Sequence, residues 1–325
     1  MKELVAYGAP GFETTIEPQT RLSRHQILFV VALPLVFLFS GLSSKITVNS
    51  LGPVVSTNPL LSTVVGFVIG LLVCVVFIPK VLRMPKGKTT LRAYLNTIGV
   101  DRVRPLSRTL LIFIPCLVSI MIAQIVASLV YNQFILGWEF DHFTNQLFNS
   151  FRITNQIGAS PITAVGSIFE EIVLRGVILT MFLQAFSQRK AIAGSAVTFG
   201  YVHVLNLLNG PLTYDLVTFV VGQIIWATII GILYGYMFLI TGNLYANMFL
   251  HWFANGLGNC FMYLPYVTPE VNALLNIVFN IGLMSTLMSL GWIFLVNKFW
   301  PLKKKIETEF TNDDKVACLL ERFSF

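Results

Sequence analysis

Residues 167–182 read SIFEEIVLRGVILTMF, an apolar run broken by Glu170, Glu171 and Arg175. An ionisable side chain at membrane depth costs roughly 3 kcal/mol on insertion scales. Three of them in one run must pair with each other, line a wet cavity or do chemistry. The surrounding composition sets the environment. The chain has 325 residues, of which 55% are hydrophobic and 11% charged. Its mean hydropathy is +0.74. A soluble domain carries about a quarter charged residues. The apolar runs are continuous rather than alternating, which argues against a β-barrel. They predict an all-α, polytopic membrane helix bundle.

A span needs about 20 largely apolar residues. Eight runs meet this: 27–43, 60–79, 109–131, 161–183, 191–208, 216–240, 244–265 and 271–297. The basic residues test the count. With a cytoplasmic N-terminus, 19 of the 22 Lys and Arg fall on the cytoplasmic side. Lys45 and Arg152 fall on the other side, and Arg175 is intramembrane. This is the positive-inside pattern, and it places both termini in the cytoplasm. The organisation that follows is a cytoplasmic segment 1–26, a membrane domain 27–300 and a cytoplasmic tail 301–325. The N-terminal segment is too polar and too long for a cleavable signal.

The net charge of +7 follows from this bias and implies no nucleic acid. The long basic loop 80–108 contains TTLRAYLNTIGV (89–100), with apolar residues at helical spacing. It reads as a surface-lying segment in contact with anionic lipid, with substrate docking as the alternative. Cys74, Cys116, Cys260 and Cys318 are scattered without a CxxC pair, so neither a disulfide nor a cysteine metal site is expected. The pairs Gly66/Gly70 and Gly231/Gly235 are spaced for close helix packing, within one chain or between chains. The oligomeric state is left open.

Helical geometry sorts the charged cluster. Glu171 and Arg175 are four residues apart, about 40° around a helix, and share a face. Glu170 is five from Arg175, about 140° away, and points elsewhere. Arg175 therefore neutralises Glu171, and Glu170 must meet a group on another helix. Candidates lie in other spans. Asn247, His251, Asn255 and Asn259 form one stripe at spacing four, and His203 stands in FGYVH. The stripe belongs in the bundle interior, with Asn247 and Asn259 as helix–helix glue. A second stripe, Asn272, Asn276 and Asn280, carries no ionisable partner and reads as packing.

One carboxylate, two imidazoles and an amide suit attack of water on a peptide bond. A base takes the water's proton, and Asn or a protonated His donates to the oxyanion. Two His and a Glu are also a common catalytic zinc set, so Glu170, His203 and His251 are the candidate ligands of a divalent metal such as zinc. There is no HExxH. Metal-activated and glutamate-activated water both stay open.

Three motifs now stand in order: EExxxR at Glu170, Glu171 and Arg175, FxxxH at Phe199 and His203, and HxxxN at His251 and Asn255. In these the chain resembles the CAAX-protease and bacteriocin-processing (CPBP, or Abi) family of intramembrane endopeptidases, which includes the type II CAAX prenyl endopeptidases. The resemblance covers residues of about 160–260. It implies a membrane protease in which Glu170 activates water, His203 positions it, and His251 and Asn255 bind the oxyanion. Glu171 and Arg175 would hold the site in shape. The family is often labelled metalloprotease, and a metal-free glutamate mechanism is also argued for it. The implied partners are lipids and a membrane-associated or prenylated peptide. The implied location is the cell membrane in a prokaryote or the endoplasmic reticulum in a eukaryote. The alternatives are a non-catalytic bacteriocin-immunity or peptide-binding protein of the same fold, and a transporter using Glu and His as a proton relay.

Overall fold

The computed structural model describes residues 59–72, 95, 98–100, 106–131, 133–134, 161–258, 268–279 and 282–299. The expected span 27–43, both terminal segments, Asn259 and Asn280 lie outside them. The described residues are helical with no strand. In order they form α1 (Pro59–Leu71), α2 (Leu106–Tyr131), α3 (Pro161–Glu171), a π-helical run Ile172–Leu179 and α4 (Thr180–Ala185). Then come α5 (Gln188–Val202), a 3₁₀ turn His203–Asn209, α6 (Tyr214–Thr241), α7 (Tyr245–Gly258), α8 (Pro269–Val278) and α9 (Leu283–Phe299). Among the described residues, four helical stretches are long and apolar enough to cross a membrane: Leu106–Tyr131, Gln188–Leu208, Tyr214–Thr241 and Pro269–Phe299. They match the expected spans at 109–131, 191–208, 216–240 and 271–297. Residues 161–185 are helical throughout, in line with the expected span 161–183, and α1 and α7 cover parts of two others.

The helix ends follow local chemistry. Thr213 caps α6 by accepting from the Leu216 N–H at 3.2 Å, and Asp215 sits in the first turn. The helix stops at Gly242, whose φ of 68° is left-handed and whose N–H returns to Phe238 O at 2.8 Å. Thr268 caps α8, with Pro269 at its first position. Pro115 within α2 has no N–H for the carbonyl four residues back, that of Leu111. The indole N–H of Trp292 on α9 donates to that carbonyl at 2.9 Å.

Small residues set the antiparallel packing of α5 on α6. A Cβ on Gly231 would lie 2.9 Å from Ala196 Cα, and one on Gly235 would lie 3.0 Å from Ile192 Cγ2. This pair therefore packs helices within the chain. Gly200 is tighter: a Cβ there would lie 2.0 Å from Thr228 Oγ1 and 2.6 Å from Ile224 O. Because Ile224 O is backbone, Gly200→Ala must force the helices apart. We expect a loss of about 1–3 kcal/mol, measured as a lower unfolding temperature in detergent.

Of TTLRAYLNTIGV, expected to lie on the membrane surface, the structure describes residues 95 and 98–100, and 98–100 pack into the bundle. Ile98 is 1% exposed, and Leu244 N–H donates to Gly99 O at 3.2 Å. The Tyr245 hydroxyl donates to Val100 O at 2.8 Å. Gly99 has φ +80°, and any Cβ there would strike the Phe238 ring at 2.6 Å. Gly176 abuts Ile98 in turn.

Candidate active site

The site sits where α3 and the π-helical run meet α5, α6 and α7. Glu171 and Arg175 are both fully buried and joined at 2.8 Å between Oε1 and Nη1. The same Oε1 accepts from His251 Nδ1 at 2.8 Å. Asn247 Nδ2 donates to Glu171 Oε2 at 3.3 Å and to the Tyr234 carbonyl at 2.8 Å. Three donors thus engage the Glu171 carboxylate. Asn247 does more than glue helices, since it completes this shell.

Arg175 is held by rings as well as by charge. Its Cζ lies 4.3 Å from the Phe199 ring centroid and 4.9 Å from that of Tyr234. Its Nε and Nη2 find no hydrogen-bond partner among the described residues. A desolvated cation on an aromatic face gains about 2 kcal/mol. This explains how a guanidinium with one hydrogen-bonded nitrogen persists there.

Glu170 differs from its neighbour. Its side chain is 31% exposed, and its Oε2 approaches His251 Nε2 only to 3.6 Å, beyond direct hydrogen bonding. His203 is close enough to Glu170 to feel its charge. The His203 Nδ1 lies 2.7 Å from Phe199 O. A carbonyl only accepts, so Nδ1 carries the proton and, in the neutral ring, Nε2 keeps its lone pair. The ring packs against Phe199 and Trp226. Its position follows from the sequence, since His203 ends α5 one turn beyond Phe199 and opens the 3₁₀ turn.

Asn255 points into the bundle and donates from Nδ2 to Ser167 Oγ at 3.1 Å. The Ser167 hydroxyl donates to Thr163 O at 3.0 Å. One amide proton of Asn255 is thus engaged and a second is left for a ligand. Ser167 is absent from the sequence-based site. So is Ser195, which donates to Leu174 O at 3.1 Å and satisfies a carbonyl inside the π-helical run. In the second stripe, Asn276 Nδ2 donates within its own helix to Asn272 O at 2.9 Å.

Among the described residues, no three His, Cys, Asp or Glu side chains lie together as a group that could hold a metal ion. Glu170, His203 and His251 do not fit a three-ligand site in this geometry.

The fold and site define an integral membrane helix bundle with a carboxylate–imidazole cluster between its helices. Residues 157–257 match the family model described as type II CAAX prenyl endopeptidase Rce1-like. The matched segment contains all three motifs and bears out the resemblance to CAAX-processing proteases. No curated protein and no solved structure matches the chain.

Proposed function

We propose that the protein is a multi-pass intramembrane endopeptidase that cleaves a membrane-associated peptide by glutamate-activated water. The observation that carries this reading is the division between two adjacent carboxylates. Glu171 is buried and fully engaged, while Glu170 is part-exposed beside two imidazoles. The match to an endopeptidase family supports it. The eight spans and cytoplasmic termini read from the basic residues belong to the same proposal.

A water seated off the line between Glu170 Oε2 and His251 Nε2 reaches both at about 2.8 Å. Glu170 takes one proton as the water oxygen bonds to the scissile carbonyl carbon. The oxyanion is met by the second N–H of Asn255, with the His251 ring beside it. Glu170 then gives its proton to the amide nitrogen as the C–N bond breaks, which restores the carboxylate. His203 Nε2 accepts from the water and orients it. Since Glu170, His203 and His251 do not form a ligand group here, no step is routed through a metal.

His203→Ala should lower cleavage about 100-fold with the protein still inserted and folded. The substrate for that assay comes from comparing membrane peptides in cells that carry the wild type or Glu170→Gln. Fragments present only with the wild type identify it. Equal cleavage by His203→Ala would remove His203 from the mechanism.

A further inference from the structure

α3 and α7 run antiparallel and meet in two polar rungs. In the first, the Glu171 carboxylate accepts from His251 Nδ1 at 2.8 Å and from Asn247 Nδ2 at 3.3 Å. The second lies one turn back on α3 and one turn further along α7. There Ser167 Oγ accepts from Asn255 Nδ2 at 3.1 Å. Four residues of helix set the rungs about 6 Å apart along the axis. Glu170 stands on α3 between them, and its Oε2 lies 3.6 Å from His251 Nε2. Along α3, the Asn255 rung is therefore on the side of Glu170 away from the Glu171–Arg175 pair.

The hydroxyl of Ser167 decides which way round the Asn255 amide sits. Ser167 is buried, with 1% of its surface exposed. A serine hydroxyl brings one proton and two lone pairs. The proton is committed, since Oγ lies 3.0 Å from Thr163 O and a carbonyl can only accept. Lone pairs alone are left to face Asn255. They take an N–H and repel an amide oxygen. The two ends of an asparagine amide have nearly the same shape, so its hydrogen-bond partners decide which end points where. Ser167 thus draws in Nδ2 and turns Oδ1 away. The direction of the second N–H follows, because both protons lie in the plane of the amide. With the amide reversed, Oδ1 would compete with Thr163 O for a single proton. Its lone pairs would also stand where the second N–H now points.

We infer that Ser167 is a positioning residue, whose hydroxyl orients the Asn255 amide so that an N–H, and not a carbonyl oxygen, faces the reacting carbonyl. It acts through Asn255 and touches no reacting atom itself. It stands outside the three motifs, three residues before Glu170. Its part in cleavage rests on the peptidase reading, and the orientation of the amide does not.

Two measurements on the full-length protein in detergent test this. The first follows the side-chain amide of Asn255 in protein labelled with ¹⁵N-asparagine, identified as the pair of proton resonances that Asn255→Ala lacks. One of the two protons should exchange with solvent more slowly in the wild type than in Ser167→Ala. Ser167→Thr, which keeps the hydroxyl, should restore the slow exchange. Ser167→Cys keeps the volume with a weak acceptor and should follow Ser167→Ala, so the comparison survives the failure of either variant to fold. Equal exchange in the wild type and the variants without a hydroxyl overturns the inference. The second measurement is the rate of peptide cleavage. Loosening one oxyanion donor rather than removing it should lower kcat about 10-fold in Ser167→Ala, with KM little changed and with recovery in Ser167→Thr. In an Asn255→Ala background, Ser167→Ala should cost nothing more. The same loss in both backgrounds would mean that Ser167 does not act through Asn255. A held amide proton together with no cleavage by any form, the wild type included, would end the peptidase reading and leave the orienting role of Ser167 in place.

Discussion

Glu170→Gln should reduce peptide cleavage by about 10²–10⁴-fold, the range expected when a general base is removed. The amide keeps the shape of the side chain and loses the ability to take a proton. Stability should hardly change. Glu170 is part-exposed and its nearest ionic partner, His251, is 3.6 Å away. The neighbouring variant gives the contrast. Glu171→Gln removes the charge that Arg175 and His251 both engage at 2.8 Å, so it should cost stability as well as activity. Rates measured on the substrate found in cells, beside unfolding temperatures in detergent, separate the two glutamates. Retained cleavage in Glu170→Gln would sink the assignment.

Arg175→Ala should cost about 3–5 kcal/mol, the usual effect of leaving one member of a buried ion pair alone. The loss has two parts. Glu171 keeps only His251 and Asn247 as donors. The space between the Phe199 and Tyr234 rings is left empty as well. Arg175→Lys should recover part of the loss, since an ammonium keeps the charge and gives up the flat guanidinium face. Unfolding temperature and the fraction recovered after detergent extraction are the measurements. An Arg175→Ala protein as stable as the wild type would mean that Glu171 is neutralised by some other group.

Features set by spacing along one helix were legible in the sequence. Glu171 and Arg175 pair because four residues separate them, and Asn247, His251 and Asn255 face inward because each is one turn from the next. The free state of Glu170 followed from the same arithmetic. Features set between distant segments were not legible. The packing of residues 98–100 beside Gly176 and Phe238 is set by segments far away in the sequence, and nothing in TTLRAYLNTIGV itself announces it. The rings around Arg175 come from α5 and α6, and nothing near Arg175 announces them. Ser167 is an ordinary serine until Asn255 arrives from the antiparallel α7.

The π-helical run was also hidden, because its sequence IVLRGVIL suits an α-helix. Its wider turn joins α3, which carries both glutamates, to α4. In a π turn the carbonyl accepts from the N–H five residues on, one more than in an α turn. Glu171 reaches Arg175 at the start of this run. One residue added between them turns Arg175 by about 100° around the axis and parts the pair, although every motif letter survives. The stretch from Glu171 to Arg175 is therefore constrained in its length more than in its composition. Apolar exchanges leave that spacing untouched, whereas a single insertion or deletion there dismantles the pair.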